Sequence, residues 1–183
     1  MIDNDKQEFL WAQKYRPKKI ADCILPDDLR ATFEGFAAGE RVPSLLLSGS
    51  PGTGKTTIAR ALCNEVGADV MFINASNDNG IDTLRTRINQ FACTVSFTGA
   101  KKVVILDEAD SLTPQAQTAL RAFVEDVSKN TTFILTANYK NRIIPALSQS
   151  RFTPVDFRIK AAERPKLAAQ FMKRAENILK EEN

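Results

Sequence analysis

The chain has 183 residues, 43% of them hydrophobic, with a formal net charge of +3, which suits one domain with its own core and room for the start of a second. No run of about 18 apolar residues occurs and the amino terminus is charged, so neither a membrane span nor a signal peptide is expected, and a soluble cytoplasmic protein follows. Histidine is absent, which excludes Ser-His triads, His-based metal sites and histidine general bases together and leaves proton transfer to carboxylates.

Cys23, Cys63 and Cys93 lie far apart with no C-x-x-C pair, so they read as reduced, buried, small apolar residues rather than as a zinc site or a disulfide framework. In chain order, Met1 to Glu8 reads as a polar, frayed end. Phe9 to Pro17 sets aromatics beside basic residues, and Pro17 blocks helix continuation, so the stretch reads as an arm rather than a helix interior. Asp27 to Ala38 predicts an amphipathic helix, with Leu29, Phe33 and Phe36 at helical spacing.

Short apolar runs follow at Leu45 to Leu47, Val70 to Ile73, Val103 to Leu106 and Phe133 to Leu135, with a weaker fifth at Val155 to Phe157. They are near-continuous rather than alternating, as strands buried on both faces are. Helical patterns separate them at Lys55 to Val66, Ile81 to Ala92 and Pro114 to Val127, the last with Thr113 as N-cap and Pro114 at its first position. Strands alternating with helices predict a parallel sheet covered on both sides, with ligands at the carboxyl ends of the strands. A short apolar helix is expected at Ile143 to Leu147. The final segment, Ala161 to Lys180, reads as a helix with Leu167, Phe171, Ala175 and Ile178 on one side, expected to begin a second domain.

Gly49 to Thr57 contains G-x-x-x-x-G-K-[ST] in full, between an apolar run and a helix-forming segment, the context a polyphosphate-binding loop needs. Backbone N–H groups and the positive end of the helix dipole converge there. Gly52 and Gly54 let the backbone wrap closely, Thr53 and Thr57 are assigned with them to nucleotide binding, Lys55 supplies a point charge for the outer phosphates, and the Thr56 hydroxyl suits magnesium. Lys101 to Asp110 is an apolar strand delivering carboxylates to its carboxyl end, so Asp107 is assigned to magnesium, through water, and Glu108 to polarising the attacking water. Asn138, ending the next apolar strand, either holds that water or senses the γ-phosphate, or is simply a turn asparagine. Arg151 is either a solvated charge or an arginine supplied to a neighbouring molecule's nucleotide.

In order along the chain, Lys14-Tyr15-Arg16-Pro17, the phosphate loop, Phe72 to Asp78, Asp107-Glu108-Ala109-Asp110, Ala119-Leu120-Arg121, Ala137-Asn138-Tyr139 and Ser150-Arg151-Phe152 resemble the ATPase subunits of sliding-clamp loaders, the replication factor C small-subunit group of AAA+ proteins. The phage large-subunit branch of that group is matched further through Gln13 to Pro17 and Asp22 to Pro26. The resemblance covers about residues 9 to 158. It implies a P-loop NTPase AAA+ core over 1–158, a parallel five-stranded sheet with helices on both faces and an amino-terminal adenine-binding arm, and over 159–183 the first helix of an incomplete helical lid.

The same resemblance implies ATP and Mg2+ as cofactors and ATP hydrolysis that opens a sliding clamp and loads it on primer-template DNA. It implies a hetero-oligomeric ring of further copies with a small subunit, in the host cell cytoplasm if the chain is phage-encoded. Gln13, Lys14, Tyr15, Arg16 and Ile24 would line the adenine pocket, Asn138 would be the first sensor, and Arg151 would act in trans. Arg85, Arg87 and Lys129 would touch DNA phosphates, although Arg85 and Arg87 alone read as a solvated helix face. Phe152 departs from the family's cysteine, the stretch Ile144 to Gln149 is one residue longer than the phage pattern, and the chain is expected to end inside the lid, before the second sensor arginine and the collar. Two other functions fit parts of the pattern: another AAA+ machine or a helicase, prompted by Asp-Glu-Ala-Asp, and a non-hydrolysing scaffold, against which the intact Lys55, Thr56, Asp107 and Glu108 argue.

Overall fold

The computed structural model describes residues 10–39, 41–77, 80–94, 100–149 and 151–182. The polar end Met1 to Glu8, Phe9, Asp78 and Ser150 lie outside the described residues. Five strands, β1 (Leu45–Ser48), β2 (Asp69–Asn74), β3 (Lys102–Asp107), β4 (Thr131–Ala137) and β5 (Thr153–Asp156), form one sheet in the order β2-β3-β4-β1-β5. Every pairing is parallel.

Successive strand residues face opposite sides, so burying both sides demands the unbroken apolar runs seen in the sequence. Leu45, Leu47, Val103, Ile105 and Ile134 form one core with α2 (Asp27–Ala38) and α3 (Lys55–Glu65). Leu46, Val104, Leu106, Phe133 and Leu135 form the other with α4 (Ile81–Cys93) and α5 (Pro114–Val127). Phe33, Ile58 and Leu62 seal the first layer; Leu84, Ile88, Leu120 and Phe123 seal the second. The Thr113 hydroxyl accepts from Ala116 N at 3.2 Å and caps α5, with Pro114 at the first position, as its sequence predicts.

Four segments differ from the sequence-based expectation. Trp11–Lys14 makes one helical turn, α1, in which Gln13 N and Lys14 N donate to Leu10 O. It stops there because Arg16, preceding Pro17, is driven out of the helical region. The fifth strand starts two residues before Val155: Thr153 N donates to Ser44 O, and Pro154, which lacks an N–H, is tolerated because β5 is an edge. Helix α6 is a single turn, Pro145–Ser148, and the terminal segment begins with a 3-10 turn, Ala161–Glu163, before α7 (Arg164–Glu182). Cys93, expected to be buried, is exposed at the end of α4, whereas Cys23 and Cys63 are buried. Burial pushes the Cys63 thiol up to about 12.

A buried lysine secures the join between α4 and β3. Lys102 Nζ donates to Phe91 O at 2.7 Å and Ala92 O at 3.1 Å, and also to Thr94 O, gathering carbonyls at the carboxyl end of the helix, where the partial charge is negative. Lys102→Met is expected to cost about 1–3 kcal/mol, because it removes the charge-assisted hydrogen bonds of a buried ammonium. A lower urea midpoint at unchanged slope checks this.

Candidate functional site

Strand register brings the chemistry together. Ser48 pairs with Ala137 and Asn74 with Asp107, so the loop after β1, Asn138 after β4 and the acids after β3 all leave the carboxyl edge side by side. At Gly49 (φ 150°) an added Cβ would stand 2.9 Å from Phe157 Cβ, so the loop turns where no side chain fits. Gly54, at φ 91°, turns the chain directly into α3. Thr53 Oγ1 donates to Ser50 O at 2.9 Å and holds the turn.

Lys55 is 6% exposed, and its ammonium donates to Gly49 O (2.8 Å), Ser50 O (2.9 Å) and Asn138 Oδ1 (2.9 Å). Burial pulls its pKa below the usual lysine range, while Asp110 and Asp107 oppose that shift. A desolvated cation held by neutral oxygens is poised for an anion, whose charge favours the protonated form.

Asp107 Oδ1 accepts from Thr56 Oγ1 at 2.6 Å and from Thr136 Oγ1 at 2.7 Å. The Thr136 hydroxyl also accepts from Glu108 N at 3.0 Å. Among the described residues Glu108 is the one non-glycine with positive φ, at 56°. An L-residue there costs about 1–2 kcal/mol, and such strain clusters at functional sites.

These residues enclose a cavity of about 310 Å³ lined by Lys55, Thr56, Asp107, Glu108 and Asn138 along with the loop. Through Gly52, Gly54 and Thr57 it adjoins a mainly apolar cavity of about 820 Å³, within the size range of small-molecule sites. Tyr15, Arg16 and Ile24 line the larger cavity, together with Trp11 and one face of α7. Gln13 and Lys14, expected there, are not in its wall. The helical turn puts Trp11, Ala12 and Tyr15 toward the cavity and rotates Gln13 and Lys14 outward. Lys14 Nζ instead donates to Glu182 Oε1, as does the Tyr15 hydroxyl.

Arg151 lies far from this edge. It precedes β5 at the amino-terminal edge of the sheet, where Nε pairs with Glu125 Oε1 at 3.1 Å. Arg85 stands in α4 with its guanidinium 5.9 Å from the Phe123 ring centre, Arg87 follows on the same helix half-buried, and Lys129 occupies the turn entering β4 at the opposite edge. Sequence reasoning missed Trp11 and Thr136; only Thr136 had a signal, as a hydroxyl two residues before Asn138 on a strand beside Asp107.

Among the described residues no three His, Cys, Asp or Glu side chains converge as a metal cage. The touching Thr56 hydroxyl and Asp107 carboxylate fit magnesium, which takes one or two protein ligands and completes its shell with water and phosphate oxygens. No helix among the described residues is long and apolar enough to cross a membrane.

Comparison with known proteins supports the same chemistry. Residues 45–159 match the family described as ATPase family associated with various cellular activities (AAA). Replication factor C subunit 5 of Mus musculus is 43% identical over 180 residues, 94% of this chain and 51% of that protein. The sliding-clamp-loader large subunit of Enterobacteria phage T4 is 44% identical over 159 residues, 86% of this chain and 49% of that protein. The replication factor C small subunit of Sulfurisphaera tokodaii is 42% identical over 152 residues, 80% and 46% of the two chains. The chain spans about half the length of these relatives.

Proposed function

We propose, from the premise that this chain belongs to the AAA family of ATPases, that it is the ATP-binding and ATP-hydrolysing part of a sliding-clamp loader acting in DNA replication. The observation that carries the reading is the convergence of Lys55, Thr56, Asp107, Glu108 and Asn138 on one cavity that continues into an apolar one. A triphosphate fits the first and a purine the second.

In this reading the Lys55 ammonium exchanges its contacts with Gly49 O and Ser50 O for the outer phosphates, whose charge opposes the downward pull of burial on its pKa. Thr56 and Asp107 would hold magnesium, which would supply positive charge against the phosphates. The Glu108 carboxylate, positioned by the strained turn, accepts a proton from the attacking water. The Asn138 amide, once released by Lys55, orients that water or the γ-phosphate. Tyr15, Arg16 and Ile24 meet the base.

Partners follow from the same reading: further copies and a small subunit in a ring, a sliding clamp and primer-template DNA, in the cytoplasm. Arg151 sits too far from its own phosphate loop to serve it, so it acts on the nucleotide of the next copy. Arg151→Ala should leave ATP affinity of the isolated chain within about twofold and lower turnover by about 10³-fold or more in assembled rings. Titrating the variant into wild-type subunits separates the two: a large defect in a verified monomer contradicts the trans role. Arg85, Arg87 and Lys129 contact phosphates without reading sequence, so DNA affinity should fall as salt rises. The direct test is the ATPase rate with and without primed DNA and a clamp; stimulation by both is expected, and a rate indifferent to both points to another machine of the family.

A further inference from the structure

Arg174 lies half-buried on α7, in the wall of the 820 Å³ cavity. One guanidinium nitrogen donates to Asp22 O and the other to Tyr15 O, the latter at 2.8 Å. These two carbonyls end separate short helices. Asp22 is the last residue of a 3-10 turn, Ile20–Asp22, and Tyr15 follows the last residue of α1. Carbonyls at a helix end lack an intrahelical partner and carry its partial negative charge. One fork of charged donors answers both.

The two segments joined in this way supply different parts of the cavity wall: Trp11 and Tyr15 from one, Cys23 and Ile24 from the other. We infer that Arg174 is a positioning residue for nucleotide binding, which fixes the spacing of these two wall segments and seats α7 over them, so that the base-side cavity exists in a shape a purine can enter. This rests on the nucleotide reading above and deepens it. Arg174 acts through the base half alone, because it lines only the apolar cavity, whereas Lys55, Thr56 and Asp107 line only the adjoining phosphate cavity. A lysine in its place keeps the charge but cannot span both carbonyls as a planar fork.

The test is equilibrium titration of the whole chain, wild type, Arg174→Ala and Arg174→Lys, with ATP and with inorganic tripolyphosphate, alongside thermal melts. Arg174→Ala should bind ATP about tenfold more weakly or worse, with tripolyphosphate affinity unchanged and the preference of ATP over CTP narrowed. Arg174→Lys should recover less than half of that loss on the logarithmic scale. An ATP affinity within twofold of wild type overturns the inference, as does equal loss of ATP and tripolyphosphate in a protein that melts normally. Should Arg174→Ala not fold, Arg174→Lys is judged by the same two ligands and the same limits. Wild-type protein that binds neither ligand, or Lys55→Ala that binds ATP normally, overturns the nucleotide reading itself; those results are distinct from any confined to Arg174.

Discussion

Lys55→Ala should reduce ATP affinity by about 100-fold or more, equivalent to about 3 kcal/mol. Two effects add. The variant removes the cation in the phosphate cavity, where charge-assisted hydrogen bonds are about twice as strong as neutral ones. It also leaves Gly49 O, Ser50 O and Asn138 Oδ1 without the donor that shapes the loop. A thermal melt separates the two, because loop disruption lowers the melting temperature of the ligand-free protein while loss of the phosphate contact does not. Calorimetric titration that returned the wild-type dissociation constant would move the triphosphate to another place on the molecule.

Glu108→Gln should leave ATP binding within about threefold and lower the turnover number by about 10²–10⁴. The amide is nearly the same size and tolerates the same backbone, so the left-handed turn at φ 56° survives and the hydrogen bond from residue 108 N to Thr136 is kept. What is lost is a proton acceptor, and the chain has no histidine to stand in. Single-turnover hydrolysis, measured beside nucleotide affinity, decides the matter: an unchanged rate would assign water activation to another group.

The layered sheet could be read from sequence because each buried strand must be apolar on both faces. Leu45 to Leu47 and Val103 to Leu106 leave no other arrangement of comparable burial. The phosphate side was equally legible, since the loop and Asp107-Glu108 depend on local spacing and on which strand end they leave. The base side was not. Whether residue 13 or residue 15 faces a cavity is set by a single helical turn ahead of Pro17, too short to show a period. Arg174 joins carbonyls 152 and 159 positions away, and backbone acceptors carry no sequence signature. Thr136 was obscured for a related reason. Its hydroxyl matters only because β4 lies beside β3, and strand order is not written in any one strand.

The phosphate loop leaves the carboxyl edge of the sheet, whereas Arg151 stands at the amino edge, held by Glu125. Under the trans role proposed for Arg151, each copy would receive at one end and donate at the other, so successive copies would join head to tail rather than by a self-complementary twofold contact. In an open arc of such copies, one terminal pocket stays without a donor and the opposite terminal arginine without a recipient. Complete composite centres would then number one fewer than the copies in the arc.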